Sequence, residues 1–336
     1  MSAENFLPDL APMDEFNTKL LNQVRPPNWK NPTPKGTYHL VAIGAGAAGL
    51  ISAAGAAGLG ARVAIIERNL MGGDCLNVGC VPSKGVIRAA RAWHAAARAK
   101  DFGGPSLMGE GDFGQAMQRM RKLRAEISPV DGAQRFRDLG IDVFIGHASF
   151  TGPDTLEVGG QTLRFKKAVI TTGARASALP IPGLSEAGYL TNENFFNQTS
   201  LPKRLGIIGA GPIGCEMAQS FARFGSEVSV LDIGEHVLPR EDADAARIVQ
   251  AALKRDGVLY IPSAQTQKVE RRGAERVVHY QVKGQARELI VDELFVAVGR
   301  TPNLENLGLE AAGVRAHARG VEVDDYLRTS NKRIFA

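Results

Sequence analysis

Two stretches of this chain repeat one plan, and that repeat narrows the folds open to it. "HLVAIGAGAAG" (His39 to Gly49) and "RLGIIGAGPIG" (Arg204 to Gly214) each hold a short apolar run, a G-x-G-x-x-G turn and the start of a small-residue helix. Each is followed by a second apolar run ending in an acid, "RVAIIER" with Glu67 and "EVSVLDI" with Asp232. From the first glycine to the acid is 23 residues in both copies. Strand, glycine turn, helix and second strand make a β-α-β unit. A lone G-x-G-x-x-G is weak evidence. Here each copy follows an expected strand, opens an expected helix and has its acid where a dinucleotide-binding fingerprint needs it.

Each residue type has a physical reason. Gly44 and Gly209 permit the tight turn, Gly46 and Gly211 let a pyrophosphate approach the backbone, and Gly49 and Gly214 let the helix pack on the strand. Ala48 lies in the first helical turn, whose free N–H groups and positive dipole end face the phosphates. Glu67 and Asp232 accept from a ribose diol. The plain alternative is a pair of Gly-rich strand–helix turns with no ligand. Two copies 165 residues apart point instead to an α/β chain with two Rossmann-like dinucleotide-binding domains.

At 336 residues the chain exceeds one comfortable core, so two domains are expected. The net charge is +5 and the pI near 9.1. The basic residues are nevertheless spread out, and "RMRKLR" (Arg119 to Arg124) reads as a solvated helix face, so no nucleic-acid partner is expected. No apolar run approaches the roughly 18 residues that cross a bilayer. "MSAENFLPDLAPMDEF" is acidic, without the apolar core of a secretory signal. A cytoplasmic protein with no membrane partner is expected.

Residues 1–37 read as an N-terminal extension, with one amphipathic helix in "DEFNTKLLNQV" and then "RPPNWKNPTPKG", whose four prolines exclude a helix. The expected boundaries are 38–187 for the first part of one nucleotide-binding domain, 188–299 for the second domain and 300–336 for a return to the first. Between the fingerprints, helices are expected in "SKGVIRAARAWHAAARAK" and "FGQAMQRMRKLRAEI". "DVFIGHASF", "DTLEVGG", "QTLRF" and "KAVITTGA" suggest a small antiparallel meander, and "LPIPG" a domain connection.

Two of the three cysteines stand in "GGDCLNVGCVPSK", with four residues between Cys75 and Cys80. A close pair in a cytoplasmic chain is redox-active, metal-binding or inert. Structural zinc wants four ligands, and no second pair accompanies this one. Inert buried thiols fit poorly with polar, Gly-rich neighbours. The pair is expected at the start of a helix beginning near Val81 or Ser83, where thiolate is stabilised.

"GGDCLNVGCVPSK" resembles the active-site motif of the flavin-dependent pyridine nucleotide-disulfide oxidoreductases. The resemblance runs from Tyr38 to Ala336 and is nearest to the mercuric reductase-like branch. It implies FAD at "GAGAAG" and Glu67, with Gly73 and Asp74 near its phosphates, and NADH or NADPH at "GAGPIG" and Asp232. "TTGARASALPIPG", with Thr172 and Gly173, and "VAVGRTPN", with Gly299 and Arg300, resemble the two domain-crossing segments beside the cofactors. The implied reaction passes electrons from NAD(P)H through FAD to a Cys75–Cys80 disulfide, and on to a small-molecule disulfide or Hg(II)-thiol substrate. By resemblance Cys80 faces the flavin and Cys75 meets substrate, so Cys75 is expected to alkylate faster. Lys84 and Glu216 match an ion pair near the flavin; their plain reading is two surface residues. Cys215 reads as packing. No metal site is expected. With Asp232 present, and no Lys or Arg from Ile233 to Pro239, NADH is expected over NADPH.

There are departures. Asp74 replaces the usual Thr, an acid near phosphates unless a cation or helix end compensates. Pro212 stands where some relatives carry an aromatic lid. No N-terminal heavy-metal cysteine motif and no C-terminal cysteine pair are found. The family continues past "KRIFA" with a ribitol-contacting Gly-Asp segment and a dimerisation domain holding a His-Glu acid-base pair. A homodimer is thus implied for the full-length family, and its interface domain is absent from this sequence; a fragment or shortened reading frame is the plain explanation. A thioredoxin reductase or flavin monooxygenase relative is a second reading, disfavoured because no C-x-x-C stands in the second domain. A non-catalytic, truncated FAD/NAD(P)-binding fragment is a third.

Overall fold

The computed structural model describes residues 10–105 and 111–336. In chain order its main elements begin with α1 (Glu15–Val24), β1 (Thr37–Ile43), α2 (Ala47–Gly58), β2 (Val63–Glu67), α3 (Gly73–Asn77), α4 (Cys80–Ala97), α5 (Phe113–Ile127) and α6 (Ala133–Asp138). There follow β3 (Asp142–Ile145), β4 (Ala148–Gly152), β5 (Thr155–Val158), β6 (Gln161–Ile170), β7 (Ala174–Ala176), α7 (Leu184–Ala187), β8 (Arg204–Ile208), α8 (Pro212–Phe224), β9 (Glu227–Leu231) and α9 (Ala243–Arg255). The remainder is β10 (Leu259–Ile261), β11 (Gln265–Arg272), β12 (Glu275–Val282), β13 (Gln285–Val291), β14 (Glu293–Val296), β15 (Arg300–Pro302), β16 (Ala316–His317), β17 (Gly320–Val321) and β18 (Ile334–Phe335).

The chain divides into two compact units. The first holds residues up to Val81, Arg121–Arg175 and Thr301–Ala336; the second holds Pro82–Met120 and Ala176–Arg300. This cut differs from the linear boundaries of the sequence reading. Residues 10–36 share the first unit's core, and the helical stretch from Pro82 groups with the second.

The first unit is built on a seven-stranded sheet in the order β3-β2-β1-β6-β5-β4, with β18 also on β6. β3, β2, β1, β6 and β18 run parallel; β4, β5 and β6 run antiparallel. The separate meander expected from "QTLRF" and "KAVITTGA" is thus corrected. Those segments fuse into one ten-residue strand, β6, which closes the meander and also pairs with β1. β2 is buried along its whole length, as a strand covered on both faces must be. On one face Ala42, Ile65 and Val143 pack with Leu20 and Val24 of α1 and Leu50 and Ala53 of α2. On the other, Val41, Ile43 and Ile66 pack with Phe150, Leu156 and Phe165 of the meander and with Leu307 and Ile334.

The extension is part of this unit. The α1 helix forms as read, with Asp14 Oδ1 capping Asn17 N at 2.9 Å. Beyond it, Trp29 Nε1 donates to Val143 O, and Asn31 exchanges two hydrogen bonds with Ile145. These bonds cover β3, an edge strand that would otherwise expose unpaired backbone.

The second unit repeats the plan on a smaller scale. Its parallel sheet has the order β10-β9-β8-β14, beside an antiparallel β11-β12-β13 sheet. One face of the parallel sheet, with Leu205, Ile207, Val228 and Val230, packs against α8, α4 and the start of α5 through Phe221, Phe224, Ala90 and Met117. Ile208, Leu231 and Val296 pack instead with Val269, Val278 and Val291 of the antiparallel sheet.

Candidate active site

The two glycine turns have matching geometry, and the glycines divide by what they are needed for. Gly44 has φ +105° and Gly209 φ +108°, a region closed to most side chains. A Cβ on Gly49 would lie 1.8 Å from Gly44 O, and one on Gly214 2.0 Å from Gly209 O. These four positions are glycine for internal reasons. Gly46 and Gly211 are not. A Cβ on Gly46 would meet nothing nearer than Gly73 Cα at 3.9 Å, and one on Gly211 nothing within 4 Å. Each stands at the N-terminus of its helix, α2 or α8, in ordinary extended geometry. Space held open before a helix N-terminus, where the chain itself does not need it, fits a bound pyrophosphate.

The acids occupy equivalent places. Glu67 Oε2 accepts from Ala45 N and Oε1 from Asn69 N, both at 2.7 Å. Asp232 Oδ2 accepts from Ala210 N at 2.6 Å and Oδ1 from Gly234 N at 2.7 Å. Each carboxylate is therefore aimed by its own turn and keeps lone pairs for a ribose hydroxyl. Burial pushes the Glu67 carboxyl above its usual range, opposed by those two N–H donors and by Arg68 and Arg25. Thr171, which the sequence reading passed over, locks the first turn. Its Oγ1 donates to Ile43 O and Gly44 O at 3.0 and 2.9 Å.

Gly73 joins the cysteine motif to this turn. It has φ +54°, and a Cβ there would lie 2.7 Å from Gly46 Cα, so the two backbones stack. Asp74, an exposed residue, falls in the first turn of α3, where a carboxylate suits the helix end. The helix carries Cys75 and ends at Asn77. Gly79 then folds back: its Cβ position would be 2.8 Å from Asp74 O and 3.7 Å from Cys75 Cα. That close return brings Cys80, the first residue of α4, to Cys75, and the two thiols hydrogen-bond. Both are present as free thiols.

Burial pushes the Cys75 thiol up to about 11, with further contributions from the Cys80 sulfur and the Asp131 carboxylate. In the cofactor-free chain Cys75 is half-buried and Cys80 exposed, which favours Cys80 for a reagent arriving from bulk water, whereas the resemblance gives Cys75 the meeting with substrate. In the cofactor-free dithiol, iodoacetamide is expected to label Cys80 first at pH 7. Cys75 labelling should rise with pH towards about 11, because its thiolate forms only as that value is approached. Peptide mass spectrometry over a pH series checks both. Added FAD should protect Cys80 if the flavin lies against it; equal labelling of both sulfurs at all pH values refutes the assignment.

In the second unit Lys84 Nζ meets Glu216 Oε1 at 2.7 Å, joining α4 to α8. Their side chains are 61% and 37% exposed, so the pair adds about 1 kcal/mol or less to stability. Lys84 follows Cys80 by four residues on α4, one turn along. Cys215 is buried and its Sγ donates to Ala210 O at 3.3 Å, a packing role. Among the crossing segments, Thr172 Oγ1 donates to Asn303 O, and Asn303 Nδ2 to Thr172 O, at 2.8 and 3.0 Å. Gly173 has φ +65° and its carbonyl accepts from Asn303 N. Arg175 adds a two-pronged pair with Glu305. In the second unit Gly299, at φ +129°, accepts from Ser177 N, next to the exposed Arg300.

The chain is 35% identical over 300 residues to a mercuric reductase of Bacillus cereus, an alignment covering 89% of this chain and 48% of that one. It is 36% identical over 308 residues to a dihydrolipoyl dehydrogenase of Corynebacterium glutamicum, covering 89% and 65%. The chain thus spans about half to two-thirds of the length of these relatives. The solved structure of RclA, an HOCl-induced flavoprotein disulfide reductase from Escherichia coli, superposes with a TM-score of 0.78 at 33% identity, over 89% of this chain and 65% of that one. Residues 38–336 match the family model described as pyridine nucleotide-disulphide oxidoreductase. With two equivalent glycine cradles and a cysteine pair stacked against the first, the chain belongs to the pyridine nucleotide-disulphide oxidoreductase family.

Proposed function

We propose that this chain carries the electron-transfer part of an NAD(P)H-dependent flavoprotein reductase, acting through Cys75 and Cys80 on a small-molecule disulfide or an Hg(II)-thiol complex. The family uses FAD and NAD(P)H. The observation that carries the reading is the hydrogen-bonded thiol pair on the loop that stacks on Gly46. FAD would be held at Gly44, Gly46, Ala48 and Gly49, with Glu67 on its ribose and Gly73 and Asp74 near its phosphates. It would supply the step between a two-electron hydride donor and a dithiol. Asp232 and Gly211 would hold the nicotinamide dinucleotide, and Lys84 and Glu216 would orient the hydride-accepting face.

The thiols do the remaining chemistry. Cys75, once deprotonated, attacks one sulfur of a substrate disulfide and expels the other as a thiol. Cys80 then attacks Cys75, breaks the mixed disulfide and closes the Cys75–Cys80 bond. Two electrons and two protons leave the chain on the two product thiols. With Hg(II), the same two sulfurs would displace the thiol ligands. A cytoplasmic setting suits this chemistry. Among the described residues no helix is long and apolar enough to cross a membrane.

The test is anaerobic reduction of the FAD-loaded chain, followed by labelling of Cys75 and Cys80. Asp232, aimed by two backbone N–H groups, accepts a ribose 2′-OH and repels a 2′-phosphate. NADH is therefore expected to reduce the chain roughly tenfold more efficiently than NADPH, ~1.4 kcal/mol. A clear NADPH preference refutes the cofactor assignment. FAD binding with no reduction of the cysteines favours the non-catalytic nucleotide-binding reading. Glutathione disulfide, lipoamide and Hg(II)-thiol complexes then distinguish substrates.

A further inference from the structure

The cluster "RMRKLR", read from sequence as a solvated face, is corrected at two positions: Arg119 and Lys122 are exposed, but Arg121 and Arg124 are not. Arg121 is 5% exposed and Arg124 1% exposed. A buried guanidinium is costly unless its donors are used. Arg121 Nε donates to Asp14 Oδ2 at 2.6 Å. Among the described residues no carboxylate is in hydrogen-bond contact with Arg124. It donates instead to two neutral oxygens from separate segments: Nη2 to Asn17 Oδ1 on α1 at 2.6 Å, and Nη1 to the Asn77 carbonyl at 2.5 Å. Its Nε finds no partner among the described residues. Burial, with Arg121 beside it, lowers its pKa to about 10, which leaves it charged at neutral pH.

Asn77 lies between Cys75 and Cys80. Its side-chain Nδ2 donates to Met71 O and Gly73 O at 3.0 and 2.8 Å, tying down the entry to the dithiol loop. Its backbone carbonyl, at the exit, is the group that Arg124 holds. Asn17, on the far side of Arg124, is itself oriented by donating to Pro12 O at 2.8 Å. Two further bonds bring the extension to the same loop: Val24 O accepts from Met71 N at 3.1 Å, and Arg25 Nη1 donates to Asn69 O at 2.7 Å. A run of hydrogen bonds therefore leads from α1 through Arg124 to the turn between the cysteines.

We infer that Arg124, anchored by Asn17 of the N-terminal helix, is a positioning residue for the Cys75–Cys80 pair, holding the Asn77 turn so that the two sulfurs stay within bonding reach. This rests on the proposed dithiol–disulfide cycle. A disulfide tolerates a narrow range of separations and torsions. Fixing the loop raises the fraction of time that the sulfurs meet, and so the equilibrium constant for closing the bond.

The experiment equilibrates the 336-residue chain with glutathione and glutathione disulfide and measures the Cys75–Cys80 disulfide by peptide mass spectrometry. Forming that bond passes two electrons and two protons to glutathione disulfide, which leaves as two glutathiones. Arg124→Met is expected to lower the equilibrium constant about tenfold, about 30 mV for this two-electron couple. Asn17→Ala, which removes one anchor and leaves the Asn77 bond, should lower it about threefold. Arg124→Lys, which keeps one donor, should recover most of the loss. Tyr38→Phe is the control: it removes the bond from the buried Tyr38 hydroxyl to Asp142 Oδ2 in the same unit and should lower Tm without moving the constant. If Arg124→Met fails to fold, Asn17→Ala and Arg124→Lys carry the test. An unchanged constant in Arg124→Met and Asn17→Ala overturns the inference, as does an equal fall in Tyr38→Phe. If the wild-type chain forms no Cys75–Cys80 disulfide at any glutathione ratio, the proposed function fails instead.

Discussion

Gly49→Ala is expected to lose the fold of the first unit, whereas Gly46→Ala is expected to keep the fold and lose the cofactor. The two positions lie three residues apart in one motif, and a sequence pattern treats them alike. A methyl group on Gly49 would sit 1.8 Å from the carbonyl oxygen of Gly44. That oxygen is backbone, in a turn fixed by Gly44 N donating to Ile66 O at 2.8 Å and by the Thr171 hydroxyl. It cannot swing away as a side chain could. The α2 helix must lift off β1, at a cost of about 3 kcal/mol or more, a large share of a domain's total stability. A methyl group on Gly46 meets open space at 3.9 Å, and its φ of −77° suits alanine. Loss of the glycine N-cap should cost about 1 kcal/mol or less. A pyrophosphate approaching that backbone would meet the methyl group, and FAD affinity should fall roughly a hundredfold, ~2.7 kcal/mol. Calorimetry of the cofactor-free variants and flavin fluorescence titration separate the two effects. Gly211→Ala and Gly214→Ala should reproduce the contrast in the second unit with NADH as ligand. If Gly46→Ala binds FAD as the wild type does, the pyrophosphate lies elsewhere.

The second large effect is on electron capacity. The FAD-loaded chain is expected to take up two molecules of NADH per flavin under anaerobic titration, one for the cofactor and one for the disulfide, since each couple carries two electrons. Cys75→Ser and Cys80→Ser should each halve that number, because one sulfur alone cannot close or open the bond. The two variants should then diverge. Cys75→Ser leaves the exposed Cys80 thiol, and a long-wavelength thiolate-to-flavin absorbance should persist; Cys80→Ser should remove it. Cys215→Ser is the control. Cys215 is buried, spends its S–H on Ala210 O, and burial holds its thiol up at about 11. Its removal should leave the capacity at two. A wild-type capacity of one NADH per flavin would mean that the cysteine pair takes no electrons from the cofactor.

Much of the architecture was legible in the chain, because its signals are local. Glycine followed by helix after an apolar run is a short-range steric and hydrogen-bond requirement, and it occurs twice at one spacing. The Phe113–Ile127 helix and the amphipathic α1 helix were expected from the chain for the same reason. The meander was misdivided because β6 carries two registers, and period-2 alternation cannot say which neighbours a strand will take. Thr171 gave no signal beyond a common residue type after a strand; its hydroxyl matters only because β6 lies beside β1.

The sequence by itself determined which residues could do the chemistry: two sulfurs with four residues between them, two acids at equal distance from their glycines, and a helix start to carry the second sulfur. The tertiary structure decided their state. The Cys75 ionisation is set by burial, by the Cys80 sulfur and by Asp131, 56 positions along the chain. Arg121 and Arg124 look like surface charges when read as a string, because their partners Asp14, Asn17 and Asn77 lie 47 or more positions away. Glycine geometry acts over a few bonds and is written locally. Desolvation and the pairing of buried polar groups depend on which distant segments fold over them, and only the folded chain supplies that.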